Sequence, residues 1–187
     1  RFLLEEITII GSKADVSAMS GTADFVSQED LDRFDQIDLH KVLNQVPGVY
    51  IREEDGYGLR PNIGIRGAVA ERSQKITIMR DEVLITPAPY SAPAAYYVPN
   101  VSRISSVEVL KGPAAVAHGP HTVGGAVNLG SLTIPNDTAG MLDISAGSDG
   151  FYKAQASYGG MSGNFGYSVD VLTYGADGFK SVDGSNQ

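Results

Sequence analysis

Ile104-Ser105-Ser106-Val107-Glu108-Val109-Leu110-Lys111-Gly112-Pro113-Ala114 runs through His118-Gly119-Pro120 to Gly124-Gly125-Ala126-Val127-Asn128, and the fold turns on this block. Val107 to Lys111 reads as a short β segment that stops at Gly-Pro punctuation. Glycines after a strand invite a phosphate-loop reading, but no Gly-Lys-Ser/Thr closes the loop, so that chemistry is set aside. His118 and His121 lie three apart with no carboxylate or third His beside them. Two turn histidines make a poor ligand set, and no metal site is expected. Gly124 and Gly125 permit close backbone approach or positive φ, which is a structural use.

Upstream, Thr22 to Val26 reads as a strand, and Ser27 is placed to cap a helix over about 28–34 whose first turn is acidic. Asp38 caps a second helical turn, with Leu39, Val42, Leu43 and Val46 on one face and Pro47-Gly48 ending it. The helical period then gives way to short β segments at Val49–Glu53, Asn62–Arg66, Ile76–Met79 and Val83–Ile85. Together these describe a small mixed α/β domain of about 130 residues. The Pro/Ala/Tyr stretch from Pro87 to Pro99 is a long loop, of the kind that is usually functional or disordered.

Composition narrows the function. The 187 residues include 22 Gly, 9 Pro and no Cys, with a formal net charge of -8. Such a field repels phosphate backbones, so nucleic acid is not an expected partner. Without cysteine there are no disulfides, thiolate metal sites or thiol nucleophiles. No Walker loop, GxSxG, HExxH or EF-hand loop occurs and no nucleophile-base pair can be named, so an enzyme is not expected. No run approaches the ~18 apolar residues of a membrane helix. The start at Arg1 reads as processed or trimmed, and the polar stretch from Asp177 to Gln187 reads as a cut within a loop.

From Met141 the pattern changes. Leu142, Ile144 and Ala146 alternate with Met141, Asp143 and Ser145; Tyr152, Ala154, Ala156 and Tyr158 alternate with Lys153, Gln155 and Ser157; Phe165, Tyr167, Val169 and Val171 oppose Gly166, Ser168 and Asp170. Gly159-Gly160-Met161-Ser162-Gly163 reads as the turn between the last two runs. These are antiparallel hairpin strands. Alternation alone favours a soluble β-sandwich edge over a membrane barrel, and the aromatic ends and small polar residues raise the barrel without deciding between them.

The segment Arg60-Pro61-Asn62-Ile63-Gly64-Ile65-Arg66-Gly67 resembles the plug domain of TonB-dependent outer-membrane receptors, whose plugs carry a strand ending in Ile-Arg-Gly. Val46-Pro47-Gly48-Val49 after its short helix is a second match, and the opening block is the third and longest, with His118 where the family usually has Tyr. The resemblance implies an α+β plug domain, a mixed small sheet with short helices, followed by the first antiparallel strands of a transmembrane β-barrel of about 22 strands. It divides the chain into a TonB-box and linker segment over 1–20, the plug over 21–138 and the opening barrel strands over 139–187.

The resemblance further implies a gated importer in the bacterial outer membrane, with the plug inside the barrel lumen and the N-terminus in the periplasm. Its partners would be TonB through its periplasmic C-terminal domain, outer-membrane lipid, the rest of its own barrel and a ferric chelate as cargo, with no cofactor. Met79 to Ile85, followed by Pro87-Ala88-Pro89-Tyr90 and Tyr96-Tyr97, is similar to plugs of the ferric citrate receptor group. Another siderophore, a zinc chelate or a vitamin is the alternative cargo, and a soluble plug-like binding module is the alternative class.

Residue roles follow from that resemblance. Glu6, Ile7, Thr8, Ile9 and Ile10 look like the TonB box, a segment without a home in the plug core that adds a strand to its partner's sheet; plug strand one is the competing reading. An anionic, oxygen-rich chelate calls for Arg forks and polar donors at the plug apices. Arg72, Ser73, Gln74, Tyr90, Ser91 and His121 are the candidates there, unless they only line the lumen. Arg66 and Gly67, Glu108, Lys111 and Gly112, and Gly124 and Gly125 are structural. Within that set a desolvated Arg66 needs a carboxylate such as Glu108, and Lys111-Gly112-Pro113 helps hold the plug to the barrel wall.

Overall fold

The computed structural model describes residues 10, 12–18, 21–54, 60–86 and 96–177. The chain divides into two compact units, one within residues 4–132 and one within 133–187.

In the first unit, strands β1 (Thr22–Val26), β4 (Ile76–Arg80), β5 (Val83–Thr86), β6 (Ile104–Lys111) and β7 (Gly125–Ser131) form one mixed sheet in the order β1-β6-β7-β4-β5. Strands β4 and β7 run parallel, with Ile76 opposite Gly125; β6 pairs antiparallel with both β1 and β7. The block from Ile104 to Asn128 therefore supplies the centre of the sheet, β6 and β7. A separate two-stranded ribbon joins β2 (Val49–Ile51) and β3 (Ile63–Ile65).

Both helices form where their caps predict. Helix α1 (Gln28–Phe34) starts at Ser27 with a reciprocal capping box: the Ser27 hydroxyl accepts the Asp30 N–H, and the Asp30 carboxylate accepts the Ser27 N–H at 3.1 Å. Lys13 adds an ion pair to Asp30 at 2.5 Å. That bond first, then those from Ser27, lower the Asp30 carboxyl to about 2. Helix α2 (Leu39–Leu43) is capped by Asp38, which accepts the His40 N–H at 2.7 Å. Asp38 is buried, and desolvation pushes its carboxyl above the ordinary value.

One face of the sheet carries the larger core. Leu31, Leu39, Val42, Leu43 and Val46 from the helical segments meet Ile63 and Ile65 of the ribbon and Ile76, Ile78, Val107, Val109, Val127 and Leu129 of the sheet. Each such side chain contributes about 1.5–3 kcal/mol by leaving water. The second face is smaller: Ile10, Ala23, Met79, Leu110, Ala115 and Ala126.

The second unit is a meander of β8 (Ala139–Ala146), β9 (Tyr152–Ser162) and β10 (Phe165–Gly175), antiparallel in the order β10-β9-β8. Gly159 and Gly160 are not a turn but part of β9, and the reversal is at Gly163-Asn164. These two glycines serve close approach. A Cβ at Gly159 would lie 2.8 Å from the Tyr167 carbonyl oxygen, and one at Gly160 2.8 Å from the Thr138 Cα. One face exposes large apolar side chains, while the other is mixed, with Met141 and Ser168 exposed beside buried polar groups. Leu142 and Ile144 are 71% and 70% exposed, and Tyr158, Val169 and Val171 are exposed with them. Lys153 and Gln155 are buried, held to Asp143 at 2.7 Å and Asp170 at 2.9 Å. Apolar outside and polar inside is the reverse of a soluble sandwich and the arrangement of a lipid-facing barrel wall.

Candidate functional site

Because β4 and β7 are parallel, the segments that precede them come to the same end of the sheet. Arg72, Ser73, Gln74 and Lys75 lead into β4, and His121, Thr122, Val123 and Gly124 lead into β7. A bond from the Gly124 N–H to the Lys75 carbonyl at 2.8 Å ties the two together. Strand β5 returns antiparallel to β4, so Thr86 leaves the sheet at this end too. The topology thus gathers segments that are far apart in the sequence.

The candidate side chains differ in what they have free. Arg72 donates through Nη1 to Glu54 at 2.7 Å, both half-buried, so its guanidinium is already partly committed. Ser73 is fully buried; its hydroxyl donates to the Pro61 carbonyl at 3.0 Å and accepts the Ile63 N–H at 3.0 Å. The expectation that Ser73 contacts ligand is corrected, since its hydroxyl stitches the loop to the start of β3. Arg72 and Ser73 have φ of 49° and 52°, and the Arg72 N–H is held by the Asn62 side chain at 2.8 Å. Gln74 and His121 are partly exposed at this end. Lys75, passed over in the sequence reading, is an exposed cation between Gln74 and β4. Only its place directly before a strand could have singled it out. Tyr90 and Ser91 lie outside the described residues.

The structural candidates are also distributed differently from expectation. Arg66 is exposed and left-handed at φ 52°. Glu108 is fully buried and accepts the Ile10 N–H and the Asn128 amide, each at 2.7 Å, so it is not the partner of Arg66. Arg66 instead lies over Gly112, whose φ is +62° and where a Cβ would sit 2.7 Å from Nη1. Ile-Arg-Gly and Lys-Gly-Pro, distant in sequence, therefore meet in space around a glycine whose positive φ opposes a side chain. Gly67, next to Arg66, also has positive φ. Lys111 is buried and bonds the Asp24 carboxylate and the Pro47 carbonyl, so it ties β6 to β1 and to the turn after α2. These bonds lie within the plug, whereas the expectation had Lys111-Gly112-Pro113 holding the plug to the barrel wall. Gly124 and Gly125 pack against Ile65, Ala68 and Ile76, and Gly125 has φ +156°.

A family model described as the TonB-dependent receptor plug domain matches residues 15–126. The chain belongs to the TonB-dependent receptor plug family. Among relatives of the plug, the vitamin B12 transporter BtuB of Photobacterium profundum is 28% identical over 157 residues, which are 83% of this chain and 25% of that protein. The unliganded ferric citrate transporter FecA superposes with a TM-score of 0.70 at 28% identity, over 88% of this chain and 27% of that one. The siderophore receptor PirA from Acinetobacter baumannii shares the fold at a TM-score of 0.55 and 22% identity, over 79% and 23% of the two chains. The chain spans about a quarter of the length of these relatives. Family members are receptors and transporters rather than enzymes.

Of the expected TonB box, only Ile10 lies within the described residues; Glu6, Ile7, Thr8 and Ile9 lie outside them. Ile10 is buried in the second-face core and its N–H is bonded to Glu108. The expectation that this segment has no home in the plug is corrected at its last residue. Among the described residues, no group of three or more His, Cys, Asp or Glu side chains is placed to hold a metal ion. No helix among them is long and apolar enough to cross a membrane, which says nothing of strands.

Proposed function

We propose that this chain is the plug and opening barrel strands of a gated importer in the bacterial outer membrane, carrying a ferric chelate of the citrate or siderophore type. The observation that carries the membrane reading is the inverted meander, with Leu142, Ile144, Val169 and Val171 outward and Lys153 and Gln155 buried. In this reading the plug covers residues 21–138, the barrel opens at 139, and residues 6–10 reach TonB by strand addition from the periplasmic side. Arg72, Gln74 and His121, with Lys75 beside them, face the cargo, and the family resemblance adds Tyr90 and Ser91 to the candidates. An arginine and a lysine next to amide and imidazole donors suit an anionic oxygen-rich chelate. No resident cofactor is required, because the iron is cargo.

A second cargo reading rests on the likeness to BtuB, which equals that to FecA in identity. Vitamin uptake is therefore the alternative. The deciding experiment is uptake by the full-length receptor in a strain lacking its own, with radioiron citrate, a ferric catecholate and cyanocobalamin in parallel, with and without TonB. Citrate-dependent uptake that requires TonB is expected. Cyanocobalamin uptake alone would replace the cargo, and a protein recovered in detergent-free buffer without membrane would replace the class.

A further inference from the structure

Glu108 stands in the middle of β6 with no exposure, directed to the second face of the sheet. Its Oε1 accepts the Ile10 N–H and its Oε2 accepts the Asn128 side-chain amide, both at 2.7 Å. Asn128, opposite it on β7, accepts the Glu82 N–H on its Oδ1 at 2.9 Å. Glu82 and Asp81 form the β4–β5 turn with φ of 63° and 50°, left-handed values that ordinary L residues resist. The Asp81 carboxylate braces that turn on the Ser131 N–H at 2.8 Å and hydroxyl at 2.6 Å. One polar chain therefore crosses the sheet, from the N-terminal segment through β6 and β7 to a strained turn.

Every link is oriented. The Asn128 oxygen meets a donor and its nitrogen meets an acceptor, so a flipped amide would set donor against donor at Glu82 and acceptor against acceptor at Glu108. A buried carboxylate is balanced only while its donors stay, and losing one is costly in a water-poor interior. The Ile10 side chain, buried among Ala23, Met79, Leu110 and Ala126, holds the same residue by packing.

We propose that Glu108 and Asn128 form a latch that holds the N-terminal segment at Ile10 and couples its release to the β4–β5 turn. The latch rests on the reading of residues 6–10 as the TonB contact. Tension applied before Ile10 acts on the Ile10–Glu108 bond. When Ile10 leaves, Glu108 loses one of its donors, Asn128 is free to turn toward a new balance, and the Glu82 N–H loses its acceptor. The turn then relaxes at the hairpin whose outgoing strand, β5, leads to the Pro-Tyr loop.

The test is site-resolved hydrogen exchange on the full-length receptor in detergent micelles, comparing the native protein with Glu108→Ala and Glu108→Gln. In Glu108→Ala the Ile10 and Glu82 amides exchange about 10- to 100-fold faster, the size expected for a hydrogen bond to a charged group, while the β6 and β7 amides stay protected. In Glu108→Gln one amide hydrogen pair is introduced where an acceptor stood, so either Ile10 or Glu82 is released while the other keeps its partner. Unchanged exchange at both amides in both variants overturns the latch. Loss of β6 and β7 protection in both variants also overturns it, because Glu108 would then be a residue the plug cannot fold without. Adding the purified C-terminal domain of TonB separates the two readings: if it binds none of the proteins, the TonB-contact reading fails while the exchange results still decide the latch.

Discussion

Replacing Ser73 by Ala removes a hydroxyl that bridges the Pro61 carbonyl and the Ile63 N–H in a fully buried position. The Ile63 donor is left unpaired at about 1–3 kcal/mol. The Pro61 carbonyl adds about 1 kcal/mol, less than the donor because a carbonyl has a second lone pair to satisfy elsewhere. A local destabilisation of about 2–4 kcal/mol follows. Ser73→Gly loses the same bonds but relieves the left-handed backbone at φ 52°, so it should be milder by about 0.5–1 kcal/mol. Hydrogen exchange at the Ile63 amide in the full-length receptor reads this directly. An acceleration of about 30-fold or more is expected for Ala, with a smaller one for Gly, and cargo affinity unchanged where the plug remains folded. Unchanged protection at Ile63 together with a tenfold weaker cargo affinity would refute the argument, and would restore Ser73 as a ligand contact.

Further outcomes are open to measurement. Lys111→Met keeps the buried stem but strips the Pro47 carbonyl and Asp24 of their partner; Asp24 is 30% exposed and recovers some water, so urea unfolding of the plug should show a loss of about 1–3 kcal/mol. Gly125→Ala sets a Cβ against the Leu110 carbonyl and 3.0 Å from the Ile65 Cδ1 at φ +156°, and should reduce the yield of folded receptor in outer membranes. Acid separates the two helix caps. The Asp30 contribution is complete above the ordinary value of 3.8 and is lost as pH falls through about 2, so Asp30→Asn should flatten thermal stability over that interval. Asp38 has the opposite sign, since a raised carboxyl favours the folded state as pH falls through it. Ile144→Arg on the outward face should block assembly into the membrane, with a cost of about 2–4 kcal/mol at the bilayer midplane, whereas Ser157→Arg on the opposite face should assemble normally; heat-modifiable mobility on gels distinguishes them.

Much of the fold was legible because its signals are local. Ser27 and Asp38 cap helices within three residues of themselves, and the alternation from Met141 to Val171 needs only a period of two. Gly159-Gly160 misled for the same reason: a glycine pair in a local window reads as a turn, while here it makes room for Tyr167 and Thr138 on neighbouring segments. The block around β6 and β7 was recognisable as a motif, yet its residues gave no hint of where their side chains bond.

The sequence by itself determined the strands, the helix caps, the change of period near residue 139 and the order of the plug motifs, since these depend on neighbours within a few positions. Only the tertiary structure decided that Arg66 lies over Gly112, that Ser73 is sealed in and that Glu108 belongs to Ile10, 98 positions away. Those partnerships depend on which strand lies beside which, and a central β6–β7 pair with β4 parallel to β7 brings together groups that no local pattern relates. Burial then selects among the possible partners, because a buried carboxylate or hydroxyl takes whichever donors the sheet places within reach.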